Sequence, residues 1–254
     1  MSTTSRHPTR APAARGDDQM SLRTVRTFFL ATFAFSWSLG VLMVVFIDQV
    51  EAVFGPMGYT NPVFILVVWG PGIVGLALVA HHHGVQGVRR FLARLTLWRM
   101  SRTWWLVLVL GMPAVFYAGA AVNGTLDDGF PFDPWYGVLP ALLPALLIGP
   151  VEELGWRGVA LPLLQRRLAP LWAALVVGVV AVVWHTPAFL MSGTKQSAWM
   201  NGPAWPDAQP WDMYLFVAVA ALVVLLDRRA MLTRGSGATE VLLDDSDKRG
   251  APAR

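Results

Sequence analysis

Long apolar runs are the feature that most constrains the folding of this 254-residue chain. A helix needs about 20 predominantly apolar residues to cross the hydrocarbon core of a bilayer. Runs of this kind, one of them interrupted by charges, occur at 27–47, 62–80, 104–122, 135–165, 171–191 and 211–226. The sequence therefore predicts an all-α fold, a polytopic membrane bundle of about six transmembrane helices.

The composition excludes the main alternatives to a membrane fold. Only 14% of the residues are charged and 55% are hydrophobic, whereas a soluble domain carries about 25% charged residues. A chain with this high a share of apolar residues is not intrinsically disordered either. The absence of cysteine excludes disulfides, thiolate metal sites and a cysteine nucleophile.

The basic residues orient the predicted helices. Under the six-helix topology, 18 of the 20 Lys and Arg residues fall on one side of the membrane, together with both termini. The positive-inside rule assigns that side to the cytoplasm. The net charge of +4 is therefore a topology signal. We expect membrane lipid and no nucleic acid among the partners.

The two ends of the chain differ from its middle. They are polar, charged and rich in small residues, which predicts disordered tails at 1–24 and 231–254 around a transmembrane domain at 25–230. The preference for Arg over Lys and the high alanine content indicate a GC-rich bacterial genome. We therefore expect a multi-pass protein of the bacterial plasma membrane.

One stretch breaks the apolar pattern, Gly149-Pro150-Val151-Glu152-Glu153-Leu154-Gly155-Trp156-Arg157-Gly158. A structural interpretation starts a new interfacial helix at Pro150, with Glu152 and Glu153 near its positive end and an ordinary Glu153–Arg157 pair at i,i+4. A functional interpretation keeps the helix in the membrane as far as residue 165. Three charges at the bilayer centre would then cost about 8–10 kcal/mol before pairing, and buried ionisable groups of this kind mark functional sites.

His185 favours the functional interpretation. It lies in the fifth apolar run, and it is as far from the middle of the turn near residue 168 as Glu152 is on the other side. In an antiparallel hairpin, both residues would lie about 25 Å along their helices from that turn. We therefore expect Glu152 and His185 to meet in a buried, water-filled pocket that opens toward the cytoplasmic half of the membrane.

These residue types suit hydrolysis. A carboxylate such as Glu152 can accept a proton from water as a general base. His185 can donate a hydrogen bond to a developing oxyanion or orient the water. Pro187 removes one backbone hydrogen bond and can open a polar pocket at membrane depth. Nothing in this arrangement requires a cofactor, and no histidine cluster lies nearby. The sequence does not exclude a divalent metal.

At these residues the chain resembles the CAAX-protease and bacteriocin-processing family (CPBP, also called Abi) of intramembrane proteases. The first family motif, two glutamates separated by three residues from an arginine, is matched by Glu152, Glu153 and Arg157. The second, often Trp-His-x-Pro, is matched by Trp184-His185-Thr186-Pro187, with Ala181 in place of an upstream aromatic residue. The resemblance covers roughly residues 25–195.

The resemblance implies a glutamate-dependent endopeptidase that cleaves a membrane-associated peptide or protein. Glu152 would be the general base, His185 would serve the oxyanion or the water, and Glu153 and Arg157 would support Glu152.

The chain departs from the family at its third motif, a histidine followed four residues later by asparagine. No histidine follows His185, and Asn201 is the one later asparagine. Two outcomes stay open for an enzyme: other groups replace the missing pair, or catalysis is impaired. The alternative to an enzyme is a membrane binding or immunity protein that keeps the Glu-Glu-Arg cluster as a structural feature.

Overall fold

A computed structural model describes residues 20–97, 101–126, 134–194, 196–197, 200 and 211–242 of the chain. These residues form helices and connecting turns, with no strand among them. The all-α prediction is confirmed, and the helices belong to a polytopic membrane protein.

Twelve α-helices are numbered here in chain order. They are α1 Leu22–Val45, α2 Ile47–Phe54, α3 Pro62–Leu92, α4 Arg102–Leu106, α5 Met112–Asn123, α6 Val138–Leu147, α7 Gly149–Gly155, α8 Leu161–Gln165, α9 Pro170–Trp184, α10 Thr186–Leu190, α11 Trp211–Leu226 and α12 Arg228–Leu232. Two π-helical turns, Val107–Gly111 and Trp156–Ala160, join α4 to α5 and α7 to α8.

Four of the six predicted spans are helical segments long and apolar enough to cross a bilayer. They are Leu22–Val45, Pro62–Thr96, Arg102–Val122 and Pro170–Leu190. The other two predicted spans are not long, continuous helices. The region at 135–165 is broken at Ile148 between α6 and α7, and the last span is a shorter apolar helix. The two elements after Arg102, α4 and α5, are exposed along almost their whole length, as expected for a lipid-facing segment.

The folded region extends beyond both predicted boundaries of the transmembrane domain. Ser21 caps the N-terminus of α1 by accepting a hydrogen bond from the backbone N–H of Arg23, and the Met20 side chain is buried. At the other end, Val241 is fully buried in the same hydrophobic cluster as Met20. The outer parts of the two predicted tails lie outside the described residues.

Helix α3 changes direction where the predicted second span ends. Gly84 has φ +63° and ψ −168°, a conformation that favours glycine because it has no Cβ. After this kink the chain continues to Leu92, and the buried ring of Phe91 packs into the core. The kink separates the membrane-spanning part of α3 from the Arg-rich connector.

The core lies where α1, α3, α7, α8 and α9 meet. Its buried members are aliphatic and aromatic residues, among them Phe28, Val79, Val159, Leu163, Ala173 and Trp184, and Leu154 of α7 packs against them. Trp156 stands edge-on to Phe28 and to Trp184, with ring centroids 5.4 Å and 5.9 Å apart. This aromatic contact joins the glutamate-bearing segment to the helix that ends at His185.

Candidate functional site

Glu152 and His185 line the same cavity, which has a volume of about 340 Å³. Most of its wall is apolar, and Trp37, Phe64, Val67, Val68, Pro187 and Met191 contribute to it. Glu152 is the one carboxylate among the lining residues. The cavity therefore combines a general-base candidate and an imidazole inside an otherwise hydrophobic enclosure.

Glu152 owes its position to a helix start inside the membrane region. The chain breaks helical geometry at Ile148, and α7 begins at Gly149 with Pro150 in its first turn and Glu152 close behind. Pro suits this position because the first N–H groups of a helix have no partner within the helix. A helix start at Pro150, as the structural interpretation proposed, thus coexists with a Glu152 that lines a cavity.

Close backbone contact between α3 and α7 fixes the depth of Glu152. A Cβ atom at Gly72 would overlap the carbonyl oxygen of Val151, and one at Gly155 would overlap the carbonyl oxygen of Pro71. At Gly75 a Cβ would lie 3.0 Å from the Cα of Gly155. Small residues let membrane helices approach this closely. Glu152 follows Val151 directly, so this contact sets where its carboxylate enters the cavity.

The π-helical turn after α7 is held by the Arg-rich connector that follows α3. A π-turn interrupts the regular pattern of α-helical hydrogen bonds, and here the carbonyl oxygen of Gly158 accepts a hydrogen bond from Arg94 Nη1 at 3.2 Å. The same nitrogen donates to the carbonyl oxygen of Val241 at 3.0 Å. Arg94 therefore links the segment behind Glu152 to the C-terminal part of the folded region.

His185 stands at a break between α9 and α10. Pro187 has no N–H, so the carbonyl of Val183 loses its regular helical donor. The hydroxyl of Thr186 donates to that carbonyl at 2.7 Å instead. The expectation that Pro187 interrupts the helix is met, and the break carries the imidazole.

The break also frees the carbonyl of Trp184, which accepts a hydrogen bond from Trp37 Nε1 on α1 at 3.1 Å. The ring of Trp184 stands edge-on to the imidazole of His185, with centroids 4.7 Å apart. Trp37 is a cavity residue that sequence reasoning missed, because an apolar run gives no sign of which indole N–H reaches a neighbouring helix.

One ring nitrogen of His185 is already engaged. Nδ1 lies 2.8 Å from the carbonyl oxygen of Ala181. A carbonyl can only accept, so Nδ1 carries the hydrogen, and in the neutral ring Nε2 is then an acceptor. His185 can therefore accept a hydrogen bond from water, whereas donation to an oxyanion from Nε2 requires a protonated ring.

Glu153 and Arg157 form the predicted pair but do not line the cavity. Arg157 Nη1 lies 2.6 Å from Glu153 Oε1, with side-chain exposures of 71% for Arg157 and 33% for Glu153. The pair therefore lies outside the cavity wall, on the segment that carries Glu152.

The missing third motif leaves other polar groups in the cavity wall. Asn201 lies outside the described residues. Tyr59, Thr194 and Gln196 line the cavity, and the Thr194 hydroxyl lies 2.9 Å from the carbonyl oxygen of Met191. A phenol and a carboxamide can both donate hydrogen bonds, so Tyr59 and Gln196 are the candidates to replace the family's pair.

The donor set does not fit a catalytic zinc site. Such sites use three protein ligands and keep a fourth position for water or substrate. Over the described ranges, no group of three or more His, Asp or Glu side chains could hold a metal ion. That a metal is not required stays a prediction.

The cavity extends from Glu152 toward the helix ends opposite to those predicted from the sequence. Its lining comes from the first turns of α3, from α10, and from the turns around Tyr59 and Thr194. All these parts lie at the helix ends away from the Arg-rich connectors. The cavity therefore lies at the end of the bundle away from the Arg-rich connectors, whereas the sequence predicted an opening toward the Arg-rich side.

The fold and the site define a class, a polytopic helical membrane protein with a carboxylate and an imidazole on one intramembrane cavity. The family model described as "Type II CAAX prenyl endopeptidase Rce1-like" matches residues 134–234. This range holds both matched motifs and helix α11. It ends at residue 234, whereas the predicted resemblance ends near residue 195. The predicted resemblance to the CPBP family is confirmed by this match.

A curated relative supports the same assignment. A CAAX prenyl protease 2 of Methanococcus maripaludis is 26% identical over 139 residues, which are 51% of this chain and 49% of that protein. The matched region thus spans about half the length of this archaeal relative. No solved structure matches the chain.

Proposed function

We propose that the chain is an intramembrane endopeptidase that hydrolyses a peptide bond with water activated by Glu152. The observation that carries this proposal is the shared cavity of Glu152 and His185. The match of residues 134–234 to the family model of type II CAAX prenyl endopeptidases supports it. We place the enzyme in the plasma membrane.

Each group has one task in the proposed reaction. The Glu152 carboxylate accepts a proton from water as the oxygen attacks the peptide carbonyl, and it passes that proton to the leaving amine when the C–N bond breaks. His185 accepts a hydrogen bond from the same water through Nε2, because Nδ1 is held by Ala181. The residues around them keep bulk water out, which strengthens these polar interactions.

The His185 tautomer favours one of the two roles expected from the sequence. A neutral imidazole with Nδ1–H engaged orients water and has no free donor for the oxyanion. The oxyanion then needs another donor, and we propose Tyr59 or Gln196 for that task because both line the cavity. Without such a donor the enzyme is impaired, since removing one oxyanion donor costs about 10²–10³ in rate.

The test compares purified wild type with Glu152→Gln in detergent micelles. Libraries of hydrophobic peptides are incubated with each protein, and cleavage products are identified by mass spectrometry. A general base contributes about 10²–10⁴ in rate. Glu152→Gln should therefore slow cleavage by at least about 10²-fold, while the melting temperature stays close to that of the wild type.

Glu153→Gln is the matched control. It makes the same change one residue away, on a side chain that pairs with Arg157 and does not line the cavity. We expect it to lower stability through the lost ion pair and to slow cleavage by the folded fraction far less than Glu152→Gln does. A wild type that cleaves no peptide in any library would refute the enzyme and leave the binding or immunity protein, for which Glu152→Gln would alter stability or partner binding alone.

A further inference from the structure

The position of the cavity along the membrane normal bears on how a substrate reaches Glu152. Helix α3 begins at Pro62 and contributes Phe64, Val67 and Val68 to the wall, all within its first two turns. The other end of α3 leads into the connector that carries Arg94. The cavity and the Arg-rich connector therefore lie at opposite ends of the same helix.

Hydrogen bonds show that the Arg-rich segments converge on one face. Arg166, between α8 and α9, donates to the carbonyl oxygens of Met20 at 2.6 Å and of Thr239 at 2.8 Å. Arg94 reaches Val241 in the same C-terminal segment. Four parts of the chain that are distant in sequence thus meet where the positive-inside rule places the cytoplasm.

The remaining walls belong to the opposite face. Gly58 and Tyr59 come from the turn between α2 and α3, and Gly193, Thr194 and Gln196 follow α10. Tyr59 is 53% exposed. The lining residues around Glu152 therefore come from helix ends and turns that lie away from the arginines.

We propose that this site receives its substrate from the extracytoplasmic side of the membrane. The inference rests on the proposed function and names its substrate class, a hydrophobic peptide segment whose scissile bond lies in the outer half of the bilayer. The outward end of a membrane-spanning or membrane-tethered peptide has this geometry. A peptide tail that approaches from the cytoplasm does not, because the packed core around Trp156, Val159 and Leu163 lies between that face and Glu152.

The wall chemistry fits such a segment. Indole, phenyl and branched aliphatic side chains surround the approach to Glu152, and apolar side chains gain about 25 cal/mol per Å² of surface removed from water. Over the described residues, no Lys or Arg side chain lines the cavity. It therefore suits apolar peptide side chains better than acidic ones.

Single cysteines test the direction of access, because the natural chain has none. Ala188→Cys places a thiol in the cavity wall. Ser192→Cys, in the exposed turn after α10, and Arg167→Cys, in the exposed turn before α9, report the two faces. Each full-length variant is expressed in cells and treated with a charged, membrane-impermeant thiosulfonate, once on intact cells and once on inverted vesicles.

We expect the thiols of Ala188→Cys and Ser192→Cys to be lost completely on intact cells, and that of Arg167→Cys only in inverted vesicles. Modification of Ala188→Cys from the cytoplasmic face alone overturns the proposal. So does an Ala188→Cys thiol that resists the reagent on intact cells while Ser192→Cys reacts. If Ala188→Cys fails to accumulate, Val68→Cys on the α3 wall takes its place.

The labelling result is independent of peptidase activity. Cleavage in micelles, where both faces are accessible, tests the proposed function, whereas thiol modification tests the access route. Cleavage by the wild type with labelling from the cytoplasm would refute the route and keep the enzyme. Labelling from outside without any cleavage would support the access route and refute the enzyme.

Discussion

The contact between α3 and α7 predicts that Gly155→Ala destabilises the protein. A Cβ atom at this position would overlap the carbonyl oxygen of Pro71 and lie 2.9 Å from Cε2 of Phe28. The overlapping oxygen belongs to the backbone, so no side-chain rotation relieves the clash. The two helices have to separate, and the wall that carries Glu152 moves with α7.

Two opposing contributions set the size of the effect. Overpacking of a tight interior costs about 1–3 kcal/mol, and an overlap with backbone belongs at the upper end, about 3 kcal/mol. Alanine favours a helix interior by about 1 kcal/mol over glycine. The difference predicts that the free energy of unfolding falls by about 2 kcal/mol.

Gly178→Ala in α9 is the matched control. No atom lies within 4 Å of the Cβ position at residue 178, so propensity acts alone and should raise the free energy of unfolding by up to about 1 kcal/mol. Reversible unfolding of both variants and of wild type in mixed micelles measures the two changes, which should have opposite signs. Equal stability of the two variants would refute the close approach of α3 and α7.

Two further substitutions probe hydrogen bonds between distant segments. Arg94→Met removes the donor to the carbonyls of Gly158 and Val241. A hydrogen bond to a charged group contributes about 1.5–3 kcal/mol, so we expect a comparable loss in the unfolding assay and faster proteolysis of the C-terminal segment; unchanged proteolysis would contradict the link. Trp37→Phe removes the donor to the carbonyl of Trp184 and should lower the free energy of unfolding by about 1 kcal/mol, with slower peptide cleavage because the helix break at the imidazole loosens. Wild-type values in both assays would show that this bond does not hold the break.

Much of the helical architecture follows from the sequence, because a bilayer accepts few alternatives. Each backbone polar group in the hydrocarbon region must be paired, so long apolar runs become helices with nearly predictable bounds. The last helix occupies 211–226 as predicted. Equal distances from one turn also place Glu152 and His185 at the same depth, since antiparallel helices share a fixed rise per residue, and both residues line one cavity.

The features that the sequence did not reveal depend on contacts between distant segments. The rotation of the helices against one another decides which carbonyl accepts the hydrogen bond from Trp37. It also decides at which end of the bundle the cavity beside Glu152 lies. The burial of Val241 was hidden for another reason. A run of three apolar residues, 241–243, in a charged, Gly-containing segment is typical of a tail. The hydrogen bonds from Arg94 and Arg166 to the backbone of this segment could not be read from the sequence.

Arg166 has a consequence for the ends of the folded region. One guanidinium holds the carbonyls of Met20 and Thr239, so the first and last described segments are neighbours. Termini that lie close together are typical of domains that accept circular permutation. Fluorescent proteins fused at the two ends would therefore report on this single side chain by resonance energy transfer in living cells, without any label inside the membrane.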